Sequence, residues 1–106
     1  MRIFHVALPA DWEDAQRSGS YTMSTRGVTL EQEGFIHCSW EDQVDATRSA
    51  FYADVDELLL LTIDTDLLTS PWQVDEVPGG ETFPHIYGAL NLEAVVSADP
   101  FHPQGP

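Results

Sequence analysis

Three short apolar stretches, each with a histidine inside it, limit what this chain can fold into: Ile3-Phe4-His5-Val6, Gly34-Phe35-Ile36-His37-Cys38-Ser39 and Phe83-Pro84-His85-Ile86-Tyr87-Gly88. Large apolar neighbours hold each imidazole near the interior. There its protonation and hydrogen bonding are set by the protein rather than by water. One such histidine is usually a satisfied core residue. Three, spread along the chain and all in strand-like sequence, predict a shared pocket.

The chain has 106 residues, enough for one domain with a single core. That domain is expected over residues 1–98, with a loose tail rich in Pro and Gly over 99–106. His102 falls in the tail and is given no role. No apolar run approaches the ~20 residues that span a bilayer. The N-terminus does not read as a secretory signal. With Cys38 as the single cysteine, no intramolecular disulfide is possible, and the expected location is the cytoplasm. Charge narrows the partners further. Four arginines and no lysine face 18 acidic residues, for a formal net charge of −14. Such a surface repels phosphate backbones and anionic membranes, so neither nucleic acid nor membrane is an expected partner. A small anionic ligand remains possible in a sheltered pocket.

Residues 2–8 read as a strand, and residues 10–17 as a short helix with Pro9 in its first turn. The stretch 20–28 is polar and irregular. Phe35 to Cys38 forms a second strand. Ser39 is placed as the N-cap of a helix that runs through Val44, Thr47, Ala50 and Phe51 to about Ala53. The run Leu58 to Ile63 fits a strand buried on both faces. Trp72, Val74 and Glu76 suggest an alternating strand, Pro78-Gly79-Gly80 a turn, and residues 83–87 and 92–97 the last two strands. The order predicts an α+β domain with two short helices and a mainly antiparallel or mixed sheet.

Three chemistries fit His5, His37 and His85. They can bind an anion as imidazolium donors, shuttle protons, or ligate a metal. No metal is expected, because His37 and Cys38 are adjacent on a strand and point to opposite faces. Ser39 shares a face with His37, so its hydroxyl and the following helix N-terminus can contact a ligand. Glu76, before the glycine turn, is the candidate catalytic carboxylate beside His85. Tyr87, two residues from His85, can stack on a base.

The three stretches, with Glu33 before the second and Leu90-Asn91 after the third, resemble an uncharacterised bacterial domain-of-unknown-function family, numbered 952. The resemblance covers nearly the whole chain. It implies an ADP-ribosyltransferase-like fold, with split sheets around an NAD-binding cleft. By that resemblance His5 falls where a first-strand histidine binds the adenosine ribose. The stretch 34–39, with His37, falls where a Gly-x-Tyr motif packs on nicotinamide. His85 stands where such enzymes carry a late glutamate. That departure argues against ordinary mono-ADP-ribosyl transfer onto proteins. RNA 2′-phosphotransferases also lack the glutamate, but most of their arginines are missing here. The expected protein is therefore a small domain with a His-lined cleft. It would bind NAD or a related nucleotide through His5, His37, Ser39 and Tyr87. It would transfer ADP-ribose or a phosphate group with His85 and Glu76. The alternative is a noncatalytic ligand-binding or protein-interaction module.

Overall fold

The computed structural model describes residues 1–102. In chain order the elements are β1 (Arg2–Ala7), α1 (Pro9–Ser18), β2 (Ser20–Tyr21), β3 (Met23–Thr25), β4 (Val28–Thr29), α2 (Leu30–Glu33) and β5 (Ile36–His37). A 3-10 turn (Glu41–Gln43) leads into α3 (Val44–Phe51) and β6 (Leu59–Asp64). After the turn Thr65–Leu67 come β7 (Trp72–Glu76), β8 (Thr82–Ile86), β9 (Leu90–Asn91), the turn Leu92–Ala94 and β10 (Val95–Pro100).

The apolar run that ends in β6 builds the centre of a three-stranded sheet, ordered β1-β6-β10. Both neighbours run antiparallel to it, with Arg2 opposite Asp64 and Ala7 opposite Leu59 on one side. Its burial alternates: Leu61 and Ile63 are fully buried, whereas Leu60 and Thr62 are half-buried. The second sheet is β5-β8-β7, also antiparallel, with Ile36 opposite Ile86 and His37 opposite His85. Between the sheets the main core joins Ile3, Leu61 and Ile63 to Ile36, Ile86 and Leu90. Paired backbone bonds between Phe4 and Ser39, at 2.9 and 2.7 Å, stitch the two sheets together. The architecture is α+β and mostly antiparallel, as the sequence order implies.

Several elements differ from the sequence reading. The stretch 20–28 is not irregular. β2 pairs with β9, and β3 pairs with β4, which runs into α2 through a reciprocal Thr29–Gln32 cap. These pieces are two to four residues long, too short to show a period. Ser39 is not a helix N-cap. The turn begins at Glu41, the Trp40 N–H donates to Gln43 Oε1 at 2.9 Å, and Ser39 Oγ bonds Thr47 Oγ1 at 3.0 Å instead. α3 stops at Phe51 because Tyr52 turns into the interior, 3% exposed. The expected strand 92–97 begins later, since Leu92–Ala94 form a turn, and β10 continues past Asp99 to Pro100. Phe101 N–H still donates to the Leu58 carbonyl. That part of the expected tail is therefore paired with the sheet, and residues 103–106 lie outside the described residues. No helix among the described residues is long and apolar enough to cross a membrane.

Candidate functional site

His5, His37 and His85 line one cavity of about 350 Å³. Its walls come from β1, β3, β5, α3 and β8. The strand register explains the meeting. His37 and His85 sit directly opposite each other on paired strands, so both side chains leave the same sheet face. Their ring centroids are 5.2 Å apart and nearly perpendicular. β1 reaches the same point through its bridge to Ser39, and His5 Nδ1 lies 2.5 Å from the His37 carbonyl oxygen.

The three imidazoles differ in chemistry. A carbonyl can only accept, so His5 Nδ1 carries the proton and donates. Its Nε2 then accepts from the Tyr21 hydroxyl at 2.9 Å. Burial pushes the His5 pKa down to about 4. His5 is therefore a neutral structural pin between β1, β2 and β5. An imidazolium donor is disfavoured at this position, because both ring nitrogens are already engaged and burial removes the water that would stabilise the charge.

His37 lies half-buried, with Nε2 3.5 Å from the Glu33 carboxylate. Burial, and then the nearby His85, lower its pKa, while Glu33 opposes them. His85 is buried and stacks on Phe35 at a centroid distance of 4.1 Å. Its Nδ1 donates to Asp75 Oδ2 at 2.7 Å. That carboxylate also accepts from Tyr87 Oη and from Gln73 Nε2. The Tyr87 bond, then burial working against it, then Gln73 and His85, leave the Asp75 carboxyl below its ordinary range. His85 lines the cavity and Asp75 does not, so the ring stands between the two with Nδ1 held on the Asp75 side.

Glu76 is not the carboxylate beside His85. Strand alternation sends it to the other face of β7, where it is exposed and opposite Thr82. Asp75, one residue earlier, takes the place expected for it. A hairpin register counted outward from Pro78-Gly79-Gly80 signals this residue, since it sets Gln73 opposite His85 and Asp75 opposite Phe83. Tyr87 does not line the cavity. It is 37% exposed and reaches the site through Asp75. Ser39 does line the cavity, but Thr47 occupies its hydroxyl.

Most other polar side chains around the cavity are also paired. Thr25 Oγ1 and Tyr52 Oη bond each other at 3.2 Å. Burial pushes the Cys38 thiol up, so it stays protonated. The exception is Ser24, fully buried on β3, whose Oγ has no hydrogen-bond partner among the described residues. Ser24 carried no signal in the sequence beyond a polar residue in a polar stretch. Arginine does not reach the lining. Arg48, on α3 and 6% exposed, donates to the Val55 carbonyl at 2.9 Å and lies over Phe101. Among the described residues, no three His, Cys, Asp or Glu side chains are grouped as metal ligands.

Fold and site together define a small α+β domain with a histidine-lined cavity walled by strands of three antiparallel sheets and by α3. Residues 6–98 match the family described as "Protein of unknown function (DUF952)", and the chain belongs to that family. Its fold is shared with CC0527 from Caulobacter crescentus. The crystal structure of CC0527 is 24% identical, with a TM-score of 0.82 over 94% of this chain and 85% of that one. A double mutant of CC0527 gives the same TM-score at 23% identity. The CC0527 solution structure gives 0.72, also at 23% identity, over 95% of this chain and 84% of that one. No curated protein matches.

Proposed function

We propose that the cavity binds a small organic molecule and that His85 gives or takes a proton there. The observation that carries this reading is the division of the His85 ring. Nδ1 is tied to Asp75 at 2.7 Å while the same ring lines the cavity, which leaves Nε2 as the nitrogen for a ligand. A carboxylate that fixes one ring nitrogen sets the tautomer and orientation of the other before any substrate arrives, which is what a general base needs. The cavity, about 350 Å³, lies at the lower end of the range for small-molecule sites, about 300–1,000 Å³.

A narrower reading makes the cleft ADP-ribosyltransferase-like, with NAD or a related nucleotide as ligand and transfer of ADP-ribose or a phosphate group. Strands of separate small sheets, β1 of one and β5 and β8 of another, contribute to the cavity wall and support it. The lining fits only the uncharged end of such a ligand. No arginine reaches the cavity and the chain has no lysine, so a countercharge for a diphosphate inside must come from a protonated imidazole, which burial disfavours at His5 and His37. The phosphates of a dinucleotide bound this way stay outside the cavity.

A thermal-shift screen of NAD, ADP-ribose and small neutral organic molecules tests both readings on the wild-type chain and on His85→Asn. A ligand that stabilises the wild type and loses its effect in His85→Asn supports the site. A wild-type chain stabilised by none of them overturns it. Saturable binding without any product assigns the cavity to a noncatalytic ligand-binding module.

A further inference from the structure

We propose that Tyr87 is a positioning residue for His85: its phenol holds the Asp75 carboxylate in the place that receives the His85 Nδ1 proton. The proposal rests on the reading of His85 as the proton-transfer group and names a further residue on which that role depends. Asp75 Oδ2 accepts from two donors, His85 Nδ1 at 2.7 Å and Tyr87 Oη. Its other oxygen accepts from Gln73 Nε2. The Asp75 side chain is 24% exposed, and a carboxylate so close to water turns freely unless it is held. A single bond to His85 leaves it free to swing about that bond. A second donor on the same oxygen, from a residue fixed elsewhere, removes the freedom, and hydrogen bonds to an ionised acceptor are the strong ones.

Tyr87 is itself fixed by its surroundings. Its N–H donates to the Pro71 carbonyl at 2.8 Å, which continues the β7–β8 pairing one step past Trp72 and Ile86. Phe35 packs against both rings, stacked on His85 at a centroid distance of 4.1 Å and tilted against Tyr87 at 5.4 Å. The His85 and Tyr87 rings stand 6.4 Å apart, so the phenol acts on the imidazole through the carboxylate. The Tyr87 bond is also the foremost reason that the Asp75 carboxyl stays below its ordinary range. An ionised carboxylate can only accept, which keeps the proton on His85 Nδ1. Phe35, Asp75 and Tyr87 all lie outside the cavity lining, so they hold His85 without taking the space of a ligand.

The experiment compares long-range 1H–15N spectra of the full 15N-labelled wild type, Tyr87→Phe and Asp75→Ala at pH 8. Tyr87→Phe keeps a ring against Phe35 and removes the hydroxyl alone. Its His85 ring shifts should move from the wild-type values toward those of Asp75→Ala, while the thermal midpoint changes little because Tyr87 is 37% exposed. A phenol with only a structural role would lower the midpoint and leave the ring shifts in place. The wild type offers a second measurement, the 13Cζ shift of Tyr87 against pH. Asp75 on β7 and His85 on β8 are the titratable groups beside the phenol, and the bond to Asp75 should hold it above the ordinary value of about 10. Asp75→Ala should return it there. Tyr87→Phe ring shifts equal to those of the wild type overturn the proposal. Shifts displaced away from Asp75→Ala also overturn it, since Tyr87 would then compete with His85 for Oδ2. So does a wild-type phenol that titrates near its ordinary value. Should Tyr87→Phe not fold, the two phenol titrations decide. None of these spectra needs a ligand, so a failed binding screen beside the expected shifts overturns the small-molecule reading and leaves the alignment of His85 by Tyr87 standing.

Discussion

Asp75 accepts a hydrogen bond from His85 Nδ1 at 2.7 Å, while Glu76, its neighbour in the chain, leaves the strand on the opposite face. One peptide unit separates a carboxylate that sets the state of the histidine from one that has no contact with it. The pairing fixes a proton on His85 Nδ1, so that a neutral His85 ring carries its lone pair on Nε2.

Removing the carboxylate should release that tautomer. In Asp75→Ala, the 15N shifts of the His85 ring should move toward the ordinary mixture, in which Nε2 usually carries the proton. In Glu76→Ala they should stay as in the wild type. Long-range 1H–15N spectra at pH 8 read both variants. Identical ring signatures in the wild type and Asp75→Ala would sink the positioning role.

His5 makes stability depend on pH. The unfolded chain takes up a proton at His5 near the ordinary 6.5, and the folded chain only near 4. Between those values the unfolded state binds more protons, so stability falls as the pH falls and is full above about 6.5. The shift corresponds to about 3 kcal/mol lost by pH 4. Urea unfolding at pH 7.5, 6 and 5 should show the decline, and His5→Gln should flatten it. A wild-type slope that His5→Gln leaves unchanged would assign the loss to other groups.

The fold was legible wherever one element was long enough to show its own period. β1, α1, β6 and the β7–β8 hairpin follow from apolar spacing, Pro9, Gly19 and the Pro78-Gly79-Gly80 turn. The pieces between Ser20 and Glu33 were not legible, because two-residue strands are chosen by their partners rather than by their own sequence. The meeting of the three histidines could be anticipated from their apolar settings. Their separate roles could not. That His5 is a neutral pin depends on Tyr21, sixteen residues away, and on a carbonyl of another strand. Asp75 and Ser24 entered the site through register and burial, neither of which a residue type announces.

Gly88 closes the third histidine stretch for a steric reason. A Cβ built there would lie 2.5 Å from Ser70 Oγ and 2.8 Å from Ser70 Cβ. Ser70 cannot turn away freely, since its hydroxyl donates to the Ala89 carbonyl at 2.7 Å. Gly88→Ala should therefore cost roughly 1–3 kcal/mol, as overpacking does. Ser70→Gly removes both clashing atoms and should recover part of that loss in the double variant. Additive losses in chemical unfolding would show that the two positions do not clash.

The pH dependence of anion binding should start lower than three exposed histidines would suggest. His5 is neutral until about pH 4 and has no free nitrogen. His37 is the half-exposed imidazole of the three, and burial with the adjacent His85 lowers its pKa. Glu33, at 3.5 Å, partly opposes the shift and also repels an incoming anion. A ligand that prefers His37 charged gains affinity only as the pH falls through that lowered value. Binding of ADP-ribose should therefore be flat from pH 8 down to the ordinary histidine range near 6.5 and strengthen only below it. His37→Ala should remove the rise, while His5→Gln should leave its position unchanged. Calorimetric titration at pH 8, 7, 6 and 5 on the three proteins decides the matter. A rise centred at 6.5, or one that survives in His37→Ala, would place the responsible charge on another group.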